Sequence, residues 1–178
     1  MKKHIETERL ILREWEDEDL EPFARMNADP LVMEYLPRVL DEKASARHMQ
    51  EFQKHFDKYG YGLYVVEVKE DDEFAGFVGL KNVDFKAAFT PAIELAWRLD
   101  YEHWGKGYAS EAARAVIDHA FTVLSLTELV AYTVHDNVRT IAMMEKLGME
   151  YQKGEDFDYP ALRKGHPLGR FVLYKIEK

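Results

Sequence analysis

The residues best placed to do chemistry lie in the run Trp104 Gly105 Lys106 Gly107 Tyr108 Ala109 Ser110, between an apolar stretch and a strongly amphipathic one. Where a strand hands over to a helix, the first N–H groups of the helix have no partner within it and can hold an anion. Two glycines let a phosphate approach the main chain closely, and main-chain donors do not require Lys106. Two other phosphate motifs share part of this pattern and fail. A dinucleotide fingerprint needs a third glycine where Ser110 stands, and its acidic partner about 20 residues on would be Glu128, which begins a strand instead of ending one. A P-loop needs Gly-Lys-Ser or Gly-Lys-Thr, and neither occurs.

Several elements must position that loop. Residues 9–13 read as a first strand, followed by a helix that Asp17 or Asp19 caps and that carries Leu20, Phe23, Ala24 and Met26. Asp41 opens a longer helix with Ala44, His48, Met49, Phe52 and Phe56 at helical spacing, closed by Gly60 and Gly62. Residues 61–69 and 74–85 form an antiparallel hairpin across an acidic turn, and residues 92–100 form the strand that leads into the loop. From Ala109 onward, Ala112, Ala113, Val116, Ile117, Ala120 and Phe121 make one apolar helical stripe. The strand of residues 129–134 follows, so strand, loop, helix and strand imply one parallel pair. Asn137 precedes a short helix that stops at Gly148, and two more strands lie near residues 149–153 and 170–176.

A chain of 178 residues, 47% hydrophobic and 32% charged, predicts one packed domain over residues 1–178. The absence of cysteine excludes disulfides, thiolate metal sites and a cysteine nucleophile, and no metal centre is expected. A net charge of −9 repels nucleic acid and anionic lipid as bulk partners and weakly favours cationic substrates. The cluster Glu14, Glu16, Asp17, Glu18, Asp19 and Glu21 reads as the solvated start of a helix. With no apolar run of spanning length and no secretory leader, the expected compartment is the cytoplasm.

The run from Trp97 to Ala109 resembles the acetyl-CoA signature of the GNAT N-acetyltransferase superfamily, in which a bulged strand leads into an Arg or Gln, x, x, Gly, x, Gly or Ala loop. Gly107 and Ala109 fall on the two small positions, and Trp104 stands at the first, where tryptophan is common in the ribosomal-protein alanine N-acetyltransferase subgroup. The opening, residues 7–13 and 33–37, is similar to that subgroup, as are Asn137 Val138 Arg139 Thr140 and Glu145 Lys146 Leu147 Gly148 Met149. The resemblance implies an α/β fold with a mostly antiparallel, splayed sheet flanked by helices and the cofactor at the parallel switch. It implies acetyl-CoA as cofactor, with main-chain groups of Trp97 and Leu99 on pantetheine, residues Trp104 to Ser110 on the pyrophosphate, and Asn137 on the pantetheine arm. Helix capping explains Asn137 equally well. The segments 158–162 and 165–168 resemble the part that lies beside the acceptor.

Making an amide from a thioester needs a neutral amine, so a base must take the proton of an ammonium whose pKa is ~10.4. Glu94 is the leading candidate, on the opposite face of its strand from Ile93, Leu95, Trp97 and Leu99. His135 is a second candidate. Many members of the superfamily use a tyrosine acid for the leaving thiolate, at the position where this chain has Met144. Thr140 replaces the subgroup's serine and is expected to hydrogen-bond the sulfur. The expected acceptor is a small-molecule or peptide amine, and a homodimer stays open. The competing expectation is a non-catalytic acetyl-CoA-binding regulator.

Overall fold

The computed structural model describes residues 2–178. In chain order its elements are β1 (Lys3–Glu6), β2 (Leu10–Arg13), α1 (Leu20–Ala28), α2 (Glu42–Tyr59), β3 (Leu63–Val68), β4 (Glu73–Asn82), β5 (Ile93–Leu99), α3 (Tyr108–Thr122), β6 (Glu128–Val134), α4 (Val138–Lys146), β7 (Glu150–Tyr151), β8 (Phe157–Asp158) and β9 (Arg170–Glu177). The strands join in one sheet in the order β1-β2-β3-β4-β5-β6-β9-β7, with β8 also on β9. Among the described residues β5 and β6 are the parallel pair and every other pairing is antiparallel. This is the expected mixed α/β, mostly antiparallel sheet.

The parallel pair is where the sheet parts. β4 accompanies β5 from Asn82 opposite Ile93 to Gly76 opposite Leu99, and β9 accompanies β6 from Glu177 opposite Glu128 to Phe171 opposite Val134. Between β5 and β6 the register is Glu94 opposite Val130, with no further matched pair among the described residues. Each strand is therefore held along its outer edge and released along its inner edge.

Helices cover both faces. Asp41 accepts from the Ala44 N–H at 2.7 Å to start α2, and Gly60, at φ 74°, ends it in the left-handed conformation that glycine adopts without strain. α1 and α2 lie on the face of Phe77, whose ring meets Trp15, Phe23 and Phe52 at 5.6–6.2 Å between centroids. α3 packs on β4 and β5 through Ala112, Ala113, Val116 and Ala120, all fully buried, and places His119 against Tyr64 on the other face. Small side chains on that stripe bring the start of α3 close to the sheet.

The two-residue β8 was not anticipated, and two further features differ from the sequence expectation. β1 went unanticipated because it is four residues of a half-exposed edge strand with weak alternation. Asp19 is not a solvated cap. It accepts both Arg13 Nη atoms at 2.7 and 2.8 Å while Arg13 Nε reaches Glu67 at 2.7 Å, and the three side chains are at most 10% exposed. Burial opposes the Arg13 charge, but hydrogen bonds from Asp19 and Glu67 outweigh it and raise the guanidinium pKa. The Glu16 N–H also donates to Asp19 at 2.7 Å, so this carboxylate ties β2, β3 and the entry to α1 together.

Removing one partner of such a group leaves a buried charge uncompensated. Asp19→Ala is expected to cost about 3–5 kcal/mol in urea unfolding. A loss below about 1 kcal/mol would show that Asp19 is solvated after all.

Candidate active site

The parting of β5 and β6 opens a cleft of about 930 Å³, bounded also by the loop before α3, the start of α4, the α1–α2 connection and the segment before β9. Its chemistry begins with strand alternation. The Asp100 N–H bonds Ala75 and the Val83 N–H bonds Ala92, so the even-numbered residues of β5 direct their main-chain groups to β4. Leu95, Trp97 and Leu99 then direct theirs toward β6, and beyond Leu95 that strand has moved away. Main-chain donors and acceptors left without a strand partner need another one, and an extended amide-bearing chain such as pantetheine supplies it.

The loop at the far end is shaped for an anion. Gly105 and Gly107 have φ of 73° and 83°, a conformation L side chains rarely adopt, and α3 begins at Tyr108. The N–H groups of Tyr108, Ala109 and Ser110 have no acceptor inside the helix and point outward at the positive end of its dipole. Ser110 Oγ turns back to the Gly107 carbonyl at 3.0 Å. Lys106 is exposed, with Nζ 6.0 Å from the Tyr108 ring centre.

Sequence reasoning missed what holds the loop still. Arg9 Nη1 donates to the Lys106 carbonyl at 2.9 Å, its Nε donates to Glu111 at 2.7 Å, and its guanidinium lies 4.7 Å from the Tyr108 ring centre. Glu111 also accepts from Thr7 Oγ1 at 2.6 Å, and these partners hold its carboxyl below the usual range although burial works against them. Trp104 donates its indole N–H to the Leu99 carbonyl at 2.9 Å and carries Arg139 4.4 Å from its ring centre. Trp104 thus fastens the loop to the end of β5, and the Leu99 carbonyl is already engaged. Trp97 is left with the more open main chain.

Glu94 sits at the closed end of the cleft. Tyr132 Oη donates to its carboxylate at 2.5 Å, and Lys81 Nζ is 3.9 Å away. Burial raises the Glu94 pKa, while Lys81 and the Tyr132 hydrogen bond pull the other way. Burial and the neighbouring carboxylate raise the Tyr132 pKa further, so the phenol stays a donor. A carboxylate with a raised pKa and a fixed donor is chemically a base poised nearer to neutrality. Tyr132 and Lys81 escaped the sequence reading because only the register, with Val130 opposite Glu94, puts Tyr132 on the same face.

The other candidates separate. Asn137 Oδ1 accepts from the Thr140 N–H at 3.2 Å as a helix cap, and its Nδ2 donates to Thr133 Oγ1 at 3.0 Å, leaving one amide hydrogen for a ligand. Thr140 lines the cleft, whereas Met144 is fully buried in the core. His135 is half-exposed and engaged with Asp136 and the Arg170 carbonyl, away from Glu94. Tyr159, Leu162 and Leu168, from the segment before β9, do line the cleft, and the Tyr159 and Phe171 rings stack at 4.9 Å.

Comparison with known proteins identifies the family. Residues 9–150 match the family model described as an acetyltransferase (GNAT) domain. The chain is 32% identical over 153 residues to protein YkkB of Bacillus subtilis, covering 85% of this chain and 88% of that one. It is 31% identical over 144 residues to spermidine N(1)-acetyltransferase of Escherichia coli K12, covering 79% and 73%. The structure of spermidine N-acetyltransferase from Vibrio cholerae in complex with CoA and spermine superposes with a TM-score of 0.75 over 96% of each chain at 20% identity. The chain belongs to the GNAT acetyltransferase family, whose members are acyltransferases that use acetyl-CoA.

Proposed function

We propose that the chain moves an acetyl group from acetyl-CoA to a primary amine, on a small molecule or a protein N-terminus, by direct attack with Glu94 as base. The observation that carries this reading is the Glu94–Tyr132 pair at 2.5 Å at the point where β5 and β6 part. The cleft fits the cofactor on its own features: two left-handed glycines, three free helix N–H groups and a strand edge without a partner. Trp104 to Ser110 would face the pyrophosphate, the Trp97 main chain the pantetheine, and the remaining Asn137 amide hydrogen its arm. When bound, acetyl-CoA supplies a thioester carbonyl open to an amine and a thiol leaving group of ordinary pKa ~8.5.

Glu94 takes the amine's proton, directly or through one water, as the nitrogen approaches. Before that transfer Tyr132 and Lys81 favour the charged carboxylate that accepts the proton. Thr140, in the first turn of α4, lines the cleft and would offer a hydroxyl to the leaving sulfur. With Met144 in the core, no tyrosine acid stands on α4, and a thiol of this pKa leaves near neutral pH with such modest help. The rival reading, a binding-only regulator, gives no account of a buried carboxylate clamped by a phenol inside the cleft. The similarity of the chain's opening and of residues 137–149 to ribosomal-protein alanine N-acetyltransferases supports an α-amine acceptor, while the spermidine enzyme supports a small amine.

Saturating acetyl-CoA is expected to raise the melting temperature, since a ligand present at 100 times its dissociation constant adds ~2.7 kcal/mol. Gly107→Asp should abolish that shift while the protein stays folded, because a carboxylate would stand where phosphate must approach. Gly107→Ala carries the same backbone strain without the charge and separates the two causes. Retained affinity in Gly107→Asp would mean that the loop does not hold the pyrophosphate.

Glu94→Gln should lower turnover by about 10²- to 10⁴-fold at neutral pH with acetyl-CoA affinity little changed. The active form is the carboxylate, so wild-type turnover should rise with pH along a limb above the usual carboxylate range. Tyr132→Phe removes a hydrogen bond that favours the charged form and should move that limb to higher pH. Turnover of Glu94→Gln within about threefold of wild type, with the limb intact, would remove Glu94 from the chemistry.

A further inference from the structure

Arg98 shares a strand face with Glu94. It stands opposite Phe77 on β4 and lines the same cleft, on the side covered by α1 and α2. Its Nη1 donates to Asn27 Oδ1 at 2.7 Å, and its guanidinium lies 5.3 Å from the Phe77 ring centre. Asn27 is fully buried and its amide donates to the fully buried Ser45 Oγ at 3.0 Å, so its carbonyl is fixed toward Arg98. One of five guanidinium hydrogens is thereby used, and by a neutral acceptor.

Four other arginines show what Arg98 lacks, whereas the exposed Arg114, like Arg98, donates only to a neutral acceptor, the Lys146 carbonyl. Arg13 has Asp19 and Glu67, Arg9 has Glu111, Arg139 has Glu34 and Arg170 has Asp158. Among the described residues Arg98 forms no ion pair, although it lines the cleft and is more buried than Arg139, the other arginine there. Burial pulls its pKa down to about 10, so it remains a cation at neutral pH. A charge taken from water without a counterion is costly, and a ligand that brings a carboxylate repays that cost while being fixed in orientation by a planar fork. Lys81 is paired with Glu94 at 3.9 Å, so Arg98 is the positive charge in this part of the cleft that has no carboxylate partner among the described residues.

We infer that Arg98 is the anchor for a carboxylate carried by the acetyl acceptor, so that the acceptor is an amino acid or short peptide whose amine is presented to Glu94. This rests on the acetyl-transfer reading above. The Cα atoms of Glu94 and Arg98 are four residues apart on one strand, about 13 Å, and the two side chains can lean together over part of that span, so the amine and carboxylate must be separated by several bonds, as in a short peptide or an amino acid that presents a side-chain amine.

The test measures CoA thiol release from acetyl-CoA with matched acceptors: free amino acids and dipeptides, the same molecules as C-terminal amides, and spermidine. The wild type should use the free carboxylates at least about tenfold better than their amides. Arg98→Gln should lower kcat/KM for the carboxylates by at least about tenfold, chiefly through KM, and leave the amides within about twofold, with Arg98→Lys restoring part of the loss. The melting shift with acetyl-CoA should be unchanged in both variants. Equal losses on carboxylates and amides, or a lost acetyl-CoA shift, would show that Arg98 shapes the fold or the cofactor site and would overturn the anchor. Thiol release with the amides or spermidine in preference to the carboxylates would overturn the anchor while leaving acetyl transfer standing.

Discussion

A main-chain group on a strand can bond a neighbouring strand or a ligand, but not both, and the cleft of this protein depends on that choice being made at one point. β5 is bonded to β4 along its whole length, which fixes its position, and leaves β6 after the Glu94–Val130 step, which frees its other edge. The cost of unpaired N–H and C=O groups falls chiefly on Trp97, next to a helix start whose own first donors are also unpaired. We propose that these two sets of unmet hydrogen bonds, in line, form a track for a long ligand with amides at one end and phosphates at the other.

The polar side chains in and around the cleft follow a consistent logic. Where charge has to be structural it is fully paired, as in Arg13 with Asp19 and Glu67 or Arg9 with Glu111. At Glu94 and Arg98, where we propose that the acceptor meets the protein, the charge is left incompletely satisfied. Glu94 has one short donor and a distant ammonium, and Arg98 has a single amide acceptor. Both lie on the α1–α2 face of β5, apart from the core residues Leu95 and Leu99 that point the other way. The alternation of one strand thus separates packing from chemistry.

The same alternation explains what could be read from the sequence. The glycine loop, the alanine stripe of α3 and the strand, loop, helix, strand order are local patterns, and each appears in the fold as expected. Glu94 was visible because its parity within a seven-residue strand is a local property. Tyr132, Lys81, Arg98 and Arg9 were not, since their roles come from partners 38, 13, 71 and 97 or more positions away, and only the sheet register and helix packing bring those partners together. Asp19 shows the opposite error. Its local setting suits a helix cap, and the buried Arg13 that claims it is a tertiary fact. Asn137 keeps both of its readings, because its cap and its contact with Thr133 leave one hydrogen free.

The claim that the freed edge of β5 and the start of α3 form one continuous cofactor track is tested most directly by amide hydrogen exchange with and without acetyl-CoA. Protection should rise at the amides of Trp97 and of Tyr108, Ala109 and Ser110, whose donors have no partner among the described residues, and change little in β3 and β4, which are paired on both edges. Protection of the helix start without Trp97, or protection confined to other segments, would contradict the account.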